Sequence, residues 1–214
     1  MLAKIKFCGI VQGRDAAFAA HAGAAYLGVV FAGGPRTVTE DGAREVVAAA
    51  AGVPVLGVFA DQSPDEILRI AAVCGLGGAQ LHGPYTPADA ARLKTEGLEV
   101  WRVARIAASS DLDTVEKTDF ESDAVLVEPQ VPHLPGGAGV PLDLALAFEA
   151  RRRLAGHRMV LAGGLRPDNV GAAVSQVRPE IVDVSSGVET SPGTKDPHQI
   201  IRFVEAVFAH SSVT

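Results

Sequence analysis

Short apolar runs recur along the chain, and stretches with helical spacing separate them. The runs cover residues 4–10, 26–31, 54–60, 78–81, 99–106, 123–128, 158–162 and 181–185. They are rich in Val, Ile, Leu and Phe and show no clean apolar–polar alternation. Strands covered on both faces, as in a parallel sheet, have this pattern. Helix signals follow each run, over 14–23, 39–51, 63–75, 86–97, 109–117, 142–154, 167–174 and 197–209. Thr39 and Thr86 stand at N-cap positions, and Gly23, Gly75 and Gly97 stand where helices close. Ser63, Pro64 and Glu66 have the spacing of a capping box with proline in the first turn. In the last stretch Ile200, Ile201, Val204 and Val207 fall at helical spacing.

Strand followed by helix predicts a parallel sheet with helices packed outside it. Eight such units in 214 residues is the count of a small (β/α)8 TIM barrel, an α/β fold. An open doubly wound sheet is the alternative, but no GxGxxG joins the first strand to the first helix. No linker interrupts the pattern, so residues 1–214 read as one domain. The irregular span is 129–141, long and rich in Gly and Pro, which could act as a lid over substrate.

Composition narrows the partners. The net charge is −6, and the one basic run, Arg151-Arg152-Arg153, reads as a helix end, so nucleic acid is not an expected partner. Although 48% of the residues are apolar, no run approaches the ~20 residues of a membrane span. The first residues follow a strand pattern rather than that of a targeting segment, and the expected location is the cytoplasm. Cys8 and Cys74 make no disulfide framework, which fits a reducing compartment. Neither belongs to a CxxC or HxxxH pair, so no metal site is readable. Nothing in the sequence distinguishes monomer from dimer.

In such a barrel the chemistry sits at the C-terminal ends of the strands and in the loops that follow. The sequence places Cys8, Arg36, His82, Glu128, Gly163-Gly164, and Asp183 with Ser185, Ser186 and Gly187 there. Singly, each has a structural reading: Cys8 as a small core residue, Arg36 as a solvated cation, His82 as a cap, Glu128 as a loop acid. The seventh and eighth turns carry more weight together. Both follow apolar strands, and small residues there present backbone N–H groups to an anion, the common phosphate site of this fold. Asp183 shares a strand face with Ser185, and a carboxylate on a buried face needs a partner or a task.

Six motifs share one order and spacing: Lys6-Phe7-Cys8-Gly9-Ile10, Pro35-Arg36, Gly57-Val58-Phe59, Gln80-Leu81-His82-Gly83, LAGGLRPDN at 161–169, and VDVSSGVETSPG at 182–193 with Lys195-Asp196. The set resembles the phosphoribosylanthranilate isomerases of tryptophan biosynthesis. The resemblance implies an aldose–ketose isomerase. It would convert N-(5-phosphoribosyl)anthranilate to 1-(2-carboxyphenylamino)-1-deoxyribulose 5-phosphate by an Amadori rearrangement. It assigns Cys8 as general base and the position of Glu128 as general acid. Arg36 is assigned to the anthranilate carboxylate, His82 to substrate binding, and Asp183 to sugar hydroxyls or to orienting the acid. Gly163, Gly164, Ser185, Ser186 and Gly187 are assigned to the 5′-phosphate. The implied partner is the small phosphosugar substrate, with no metal or organic cofactor. Lys6, on the face of Cys8, either favours its thiolate or pairs with carboxylates.

The chain departs from the family pattern at three places. Glu128 stands where the family has aspartate, one methylene longer, and a misplacement of ~1 Å can cost about a hundredfold in rate. Residues 136–144 lack the threonine and the aromatic residue of the family's GGTGxxFDW. Val11 replaces the usual threonine. The departures leave open two alternatives, an isomerase of a related phosphosugar and a non-catalytic phosphosugar-binding barrel.

Overall fold

The computed structural model describes residues 2–116, 120–131 and 140–211. Eight parallel strands close into a barrel in sequence order: β1 (Lys4–Phe7), β2 (Tyr26–Val30), β3 (Val55–Phe59), β4 (Gly78–Leu81), β5 (Glu99–Ile106), β6 (Ala124–Pro129), β7 (Met159–Leu161) and β8 (Ile181–Val184). A helix follows each: α1 (Gly13–His21), α2 (Glu40–Ala49), α3 (Pro64–Cys74), α4 (Pro87–Thr95), α5 (Asp111–Glu116), α6 (Leu144–Arg153), α7 (Val170–Val177) and α8 (Pro197–Ser211). This is the TIM barrel the alternation predicts.

The strands are covered on both sides, which is why their sequences do not alternate. One face packs on the helices through Phe7, Leu27, Phe59, Val100, Val127 and Val182. The other fills the barrel with Tyr26, Leu56, Trp101, Leu126, Val160 and Ile181. At the N-terminal end of the barrel Glu99 accepts from Trp101 Nε1 at 2.8 Å and from the Tyr26 hydroxyl at 3.3 Å. Arg158 pairs with the same carboxylate and lies 5.9 Å over the Tyr26 ring.

Three local features differ from the sequence pattern. The helix α7 begins at Val170 and not at Pro167. Asn169 accepts from Arg166 N at 2.8 Å and donates to Gly164 O at 3.0 Å, which winds the preceding residues into a turn. Ser63 accepts from Glu66 N at 3.3 Å, while the reciprocal capping box stands at Thr86 and Asp89. A 3-10 turn over Ser186–Val188 and a hairpin of β9 (Glu189–Ser191) and β10 (Thr194–Lys195) follow β8, where the pattern gave no strands. The loop expected over 129–141 has residues 132–139 outside the described residues, as is residue 117 of the fifth helical stretch.

Arg151-Arg152-Arg153 closes α6 as expected, and Arg151 pairs with Glu180 at 2.5 Å. Among the described residues no helix is long and apolar enough to cross a membrane.

Candidate active site

The predicted residues converge on the C-terminal mouth of the barrel. Cys8 follows β1 directly, and its N–H donates to Val184 O at 2.8 Å. One turn of side-chain alternation below it, Lys6 points inward and is fully buried. Lys6 is in register with Asp183 across the β1–β8 pair, and its Nζ lies 2.7 Å from Asp183 Oδ1. Gly28, on the neighbouring strand, leaves room for both groups. A Cβ there would stand 2.9 Å from Cys8 Sγ and 3.2 Å from Lys6 Nζ.

Burial pushes the Cys8 thiol up, the Lys6 ammonium draws it down, and Asp183 adds to the rise; the net direction is upward. For Lys6, burial opposes the charge, but Asp183 and Cys8 outweigh it and hold the ammonium above the usual lysine range. Both alternatives for Lys6 are therefore met by one side chain: it pairs with a carboxylate and favours the thiolate.

Glu128 is the penultimate residue of β6, 6% exposed, in register with Arg105 on β5. Arg105 Nε donates to Glu128 Oε1 at 2.9 Å, and Oε2 meets no donor among the described residues. Burial raises the Glu128 carboxyl, and Arg105 only partly offsets it. The free oxygen of a carboxyl that holds its proton more tightly than usual is suited to donate it.

His82 sits beside this pair. Arg105 Nη2 lies 3.0 Å from His82 Nδ1, so Nδ1 accepts and Nε2 carries the proton. Gln80 contacts Nε2, and its amide oxygen is otherwise buried without a partner. Turning the amide so that the oxygen accepts from Nε2–H satisfies both groups. Burial, then Arg105 and Lys6, lower His82 to about 3, so the ring stays neutral.

Arg36 lies at the rim, with its guanidinium on Glu189 of β9: Nε to Oε1 is 2.9 Å and Nη2 to Oε2 is 2.6 Å. Lys195 of β10 donates to the same carboxylate at 2.7 Å. After β7, Gly163 and Gly164 take φ of +97° and +56°, and Gly187 packs against the loop after β7, where a Cβ would stand 1.9 Å from Leu165 O. The two turns are thus in contact. The N–H groups of Gly163, Gly164, Ser186 and Gly187 meet no protein acceptor among the described residues. Also among these residues, no group of three or more His, Cys, Asp or Glu side chains could hold a metal ion.

The sequence reading brought together every residue except Arg105, Glu189 and Lys195, and it left Gln80 without a role. Arg105 had a signal: a charged residue inside an apolar run. The partnership of Arg36 with Glu189 spans 153 positions and had none.

The family model of N-(5′-phosphoribosyl)anthranilate isomerase matches residues 5–206. The chain belongs to that family. The isomerase of Rubrobacter xylanophilus is 40% identical over 208 residues, 96% of this chain and 98% of the relative. That of Chlorobaculum tepidum is 41% identical over 218 residues, 96% and 95% of the two chains. The crystal structure of phosphoribosyl anthranilate isomerase from Thermotoga maritima superposes with a TM-score of 0.87 at 30% identity, over 97% of this chain and 100% of that one. A phosphoribosyl anthranilate isomerase in complex with reduced 1-(o-carboxyphenylamino)-1-deoxyribulose 5-phosphate gives a TM-score of 0.84 at 29% identity, over 97% and 100% of the two chains. As a member of this family, the protein is an isomerase, which sets aside the non-catalytic reading.

Proposed function

We propose that this barrel, one domain over residues 1–214, acts in the cytoplasm in tryptophan biosynthesis and converts N-(5′-phosphoribosyl)anthranilate to 1-(o-carboxyphenylamino)-1-deoxyribulose 5-phosphate. The observation that carries this reading is a basic thiol site and a proton-holding carboxyl over one barrel mouth. Lys6 and Asp183 act electrostatically on both Cys8 and Glu128.

Glu128 gives its proton to the furanose ring oxygen. The C1′–O bond breaks, and the anilino nitrogen supplies the electron pair that forms the Schiff base. The Cys8 thiolate takes the C2′ proton, and the electrons of that bond pass through C1′ to nitrogen, giving the enolamine. Protonation at C1′ with loss of the C2′ hydroxyl proton gives the ketone. The glycine and serine turns hold the 5′-phosphate, Arg36 holds the ring carboxylate, and His82 and Asp183 line the sugar. Glu128 compensates for its extra methylene through Arg105, which fixes one oxygen and leaves the other to work.

The test follows loss of phosphoribosylanthranilate fluorescence. Cys8→Ala and Glu128→Ala should each lower kcat/KM by about a thousandfold, within the range of general acid–base contributions. Near-full activity in Glu128→Ala would remove the acid assignment. No turnover by the unaltered protein would remove the substrate.

A further inference from the structure

A guanidinium has two forked edges, and Arg36 uses one of them. Nε and Nη2 form the side edge, and both donate to Glu189, with Nε also 3.2 Å from Oε2. Nη1 meets no acceptor among the described residues. Glu189 is held firmly. Its side chain is 4% exposed, Lys195 Nζ donates to it at 2.7 Å, and Gly193 N lies 3.4 Å away. Lys195 is anchored in turn, through Nζ to Ser185 O at 3.1 Å and through its N–H to Asp15 Oδ2 at 3.0 Å. The guanidinium, the ammonium and the carboxylate sum to one positive charge. It lies beside Gly9, where a Cβ would stand 2.5 Å from Arg36 Cδ and 2.8 Å from Ser185 Oγ.

We infer that Glu189 is a positioning residue that sets specificity for a carboxylated aglycone. It occupies the side edge of Arg36 and leaves the end edge, Nη1 with the outer N–H of Nη2, as a planar fork for the substrate's ring carboxylate. The inference rests on the substrate reading above. The opposite role is also chemically coherent: Glu189 could compete with the substrate carboxylate for Arg36. The two roles predict opposite signs.

Calorimetric titration separates them. The ligands are the reduced 1-(o-carboxyphenylamino)-1-deoxyribulose 5-phosphate and its phenylamino counterpart without the carboxylate. In Glu189→Gln the carboxylated ligand should bind about tenfold more weakly, the scale of one charged hydrogen bond. Its counterpart should change by less than about twofold, so the preference for the carboxylate collapses. Equal loss on both ligands, or tighter binding of the carboxylated one, overturns the inference. If Glu189→Gln does not fold, Glu189→Asp keeps the charge and draws the guanidinium back, and a smaller loss confined to the carboxylated ligand is expected. An unaltered protein that binds neither ligand and turns over no phosphoribosylanthranilate fails the substrate reading itself. Retained turnover with unselective loss fails this inference alone.

Discussion

The barrel interior carries an ionic cluster at each end, and the two are built to different ends. At the N-terminal end, Arg158, Trp101 and Tyr26 converge on the single carboxylate of Glu99, under an edge-to-face aromatic pair 4.9 Å apart. At the mouth, Lys6 lies between a carboxylate and a thiol, and Glu128 has one oxygen engaged and one that meets no donor among the described residues. Burial disfavours the charged forms of both Cys8 and Glu128. The same ingredients therefore give a plug in which three residues share one acceptor, with Arg158 Nε buried without a partner among the described residues, and a mouth where a thiol and a carboxyl each hold a proton more tightly than usual. Lys6 touches both ends, since its Nζ also lies 5.6 Å over the Trp101 ring.

Removing Lys6 should have the largest effect on this contrast. Lys6→Met keeps the volume and strands Asp183, and breaking a buried pair costs about 3–5 kcal/mol in urea unfolding. Kinetics give an independent signature. In the mechanism proposed above the working form has Cys8 as thiolate and Glu128 as acid, although Cys8 is raised from 9.0 and Glu128 from 4.5. With Cys8 the weaker acid, kcat/KM rises with pH through the Glu128 pKa and falls through that of Cys8. Without Lys6 the thiol rises further. The alkaline limb should move to higher pH, and the maximum should fall about tenfold for each unit the limbs separate. An unmoved alkaline limb would show that Lys6 only braces the barrel.

The other end should answer differently. Glu99→Gln should cost about 1–3 kcal/mol of stability through weakened donors, while kcat/KM of the folded protein stays within about twofold. A large kinetic loss without unfolding would erase the distinction between the two clusters.

The smallest effect concerns His82. Its folded value of about 3 lies below the ordinary 6.5, so between these values the unfolded chain binds the extra proton. Stability from this group is present above the unfolded pKa and lost as pH falls through that window. Glu128, raised by burial, works in the opposite sense. Comparing His82→Gln with the unaltered protein in urea at neutral and mildly acid pH isolates the imidazole. The acid loss should shrink by about 1 kcal/mol per pH unit; identical slopes would mean that His82 titrates normally.

Much of this arrangement was legible in the sequence because it depends on local order. The bounds of β4 and β5 coincide with their apolar runs, and caps at Thr39 and Thr86 mark helix starts. The start of α7 was displaced because an Asn side chain, not periodicity, decides where the turn ends. The β9–β10 hairpin has arms too short to show a period, with its turn at Gly193. Cys8, Glu128, Asp183 and the two glycine-rich turns were readable because each lies at or just past the C-terminal end of a strand. The side of Arg36 that faces Glu189 was not, since only barrel closure brings those residues together. Which of its two tasks Lys6 performs was open for the same reason, and the fold assigns it both.

The ion pair of Lys6 with Asp183 spans 177 positions and lies on the seam where the first strand meets the last. During synthesis the cysteine, with its lysine two places before it, emerges well ahead of β8. For most of that time neither has its carboxylate partner. Cys8 acquires its final electrostatics only when β8 docks, after all the other barrel strands have been made. Folding intermediates that lack this strand carry the thiol without the field that governs it. The strand that completes the sheet is thus also the one that completes the electrostatic setting of the thiol.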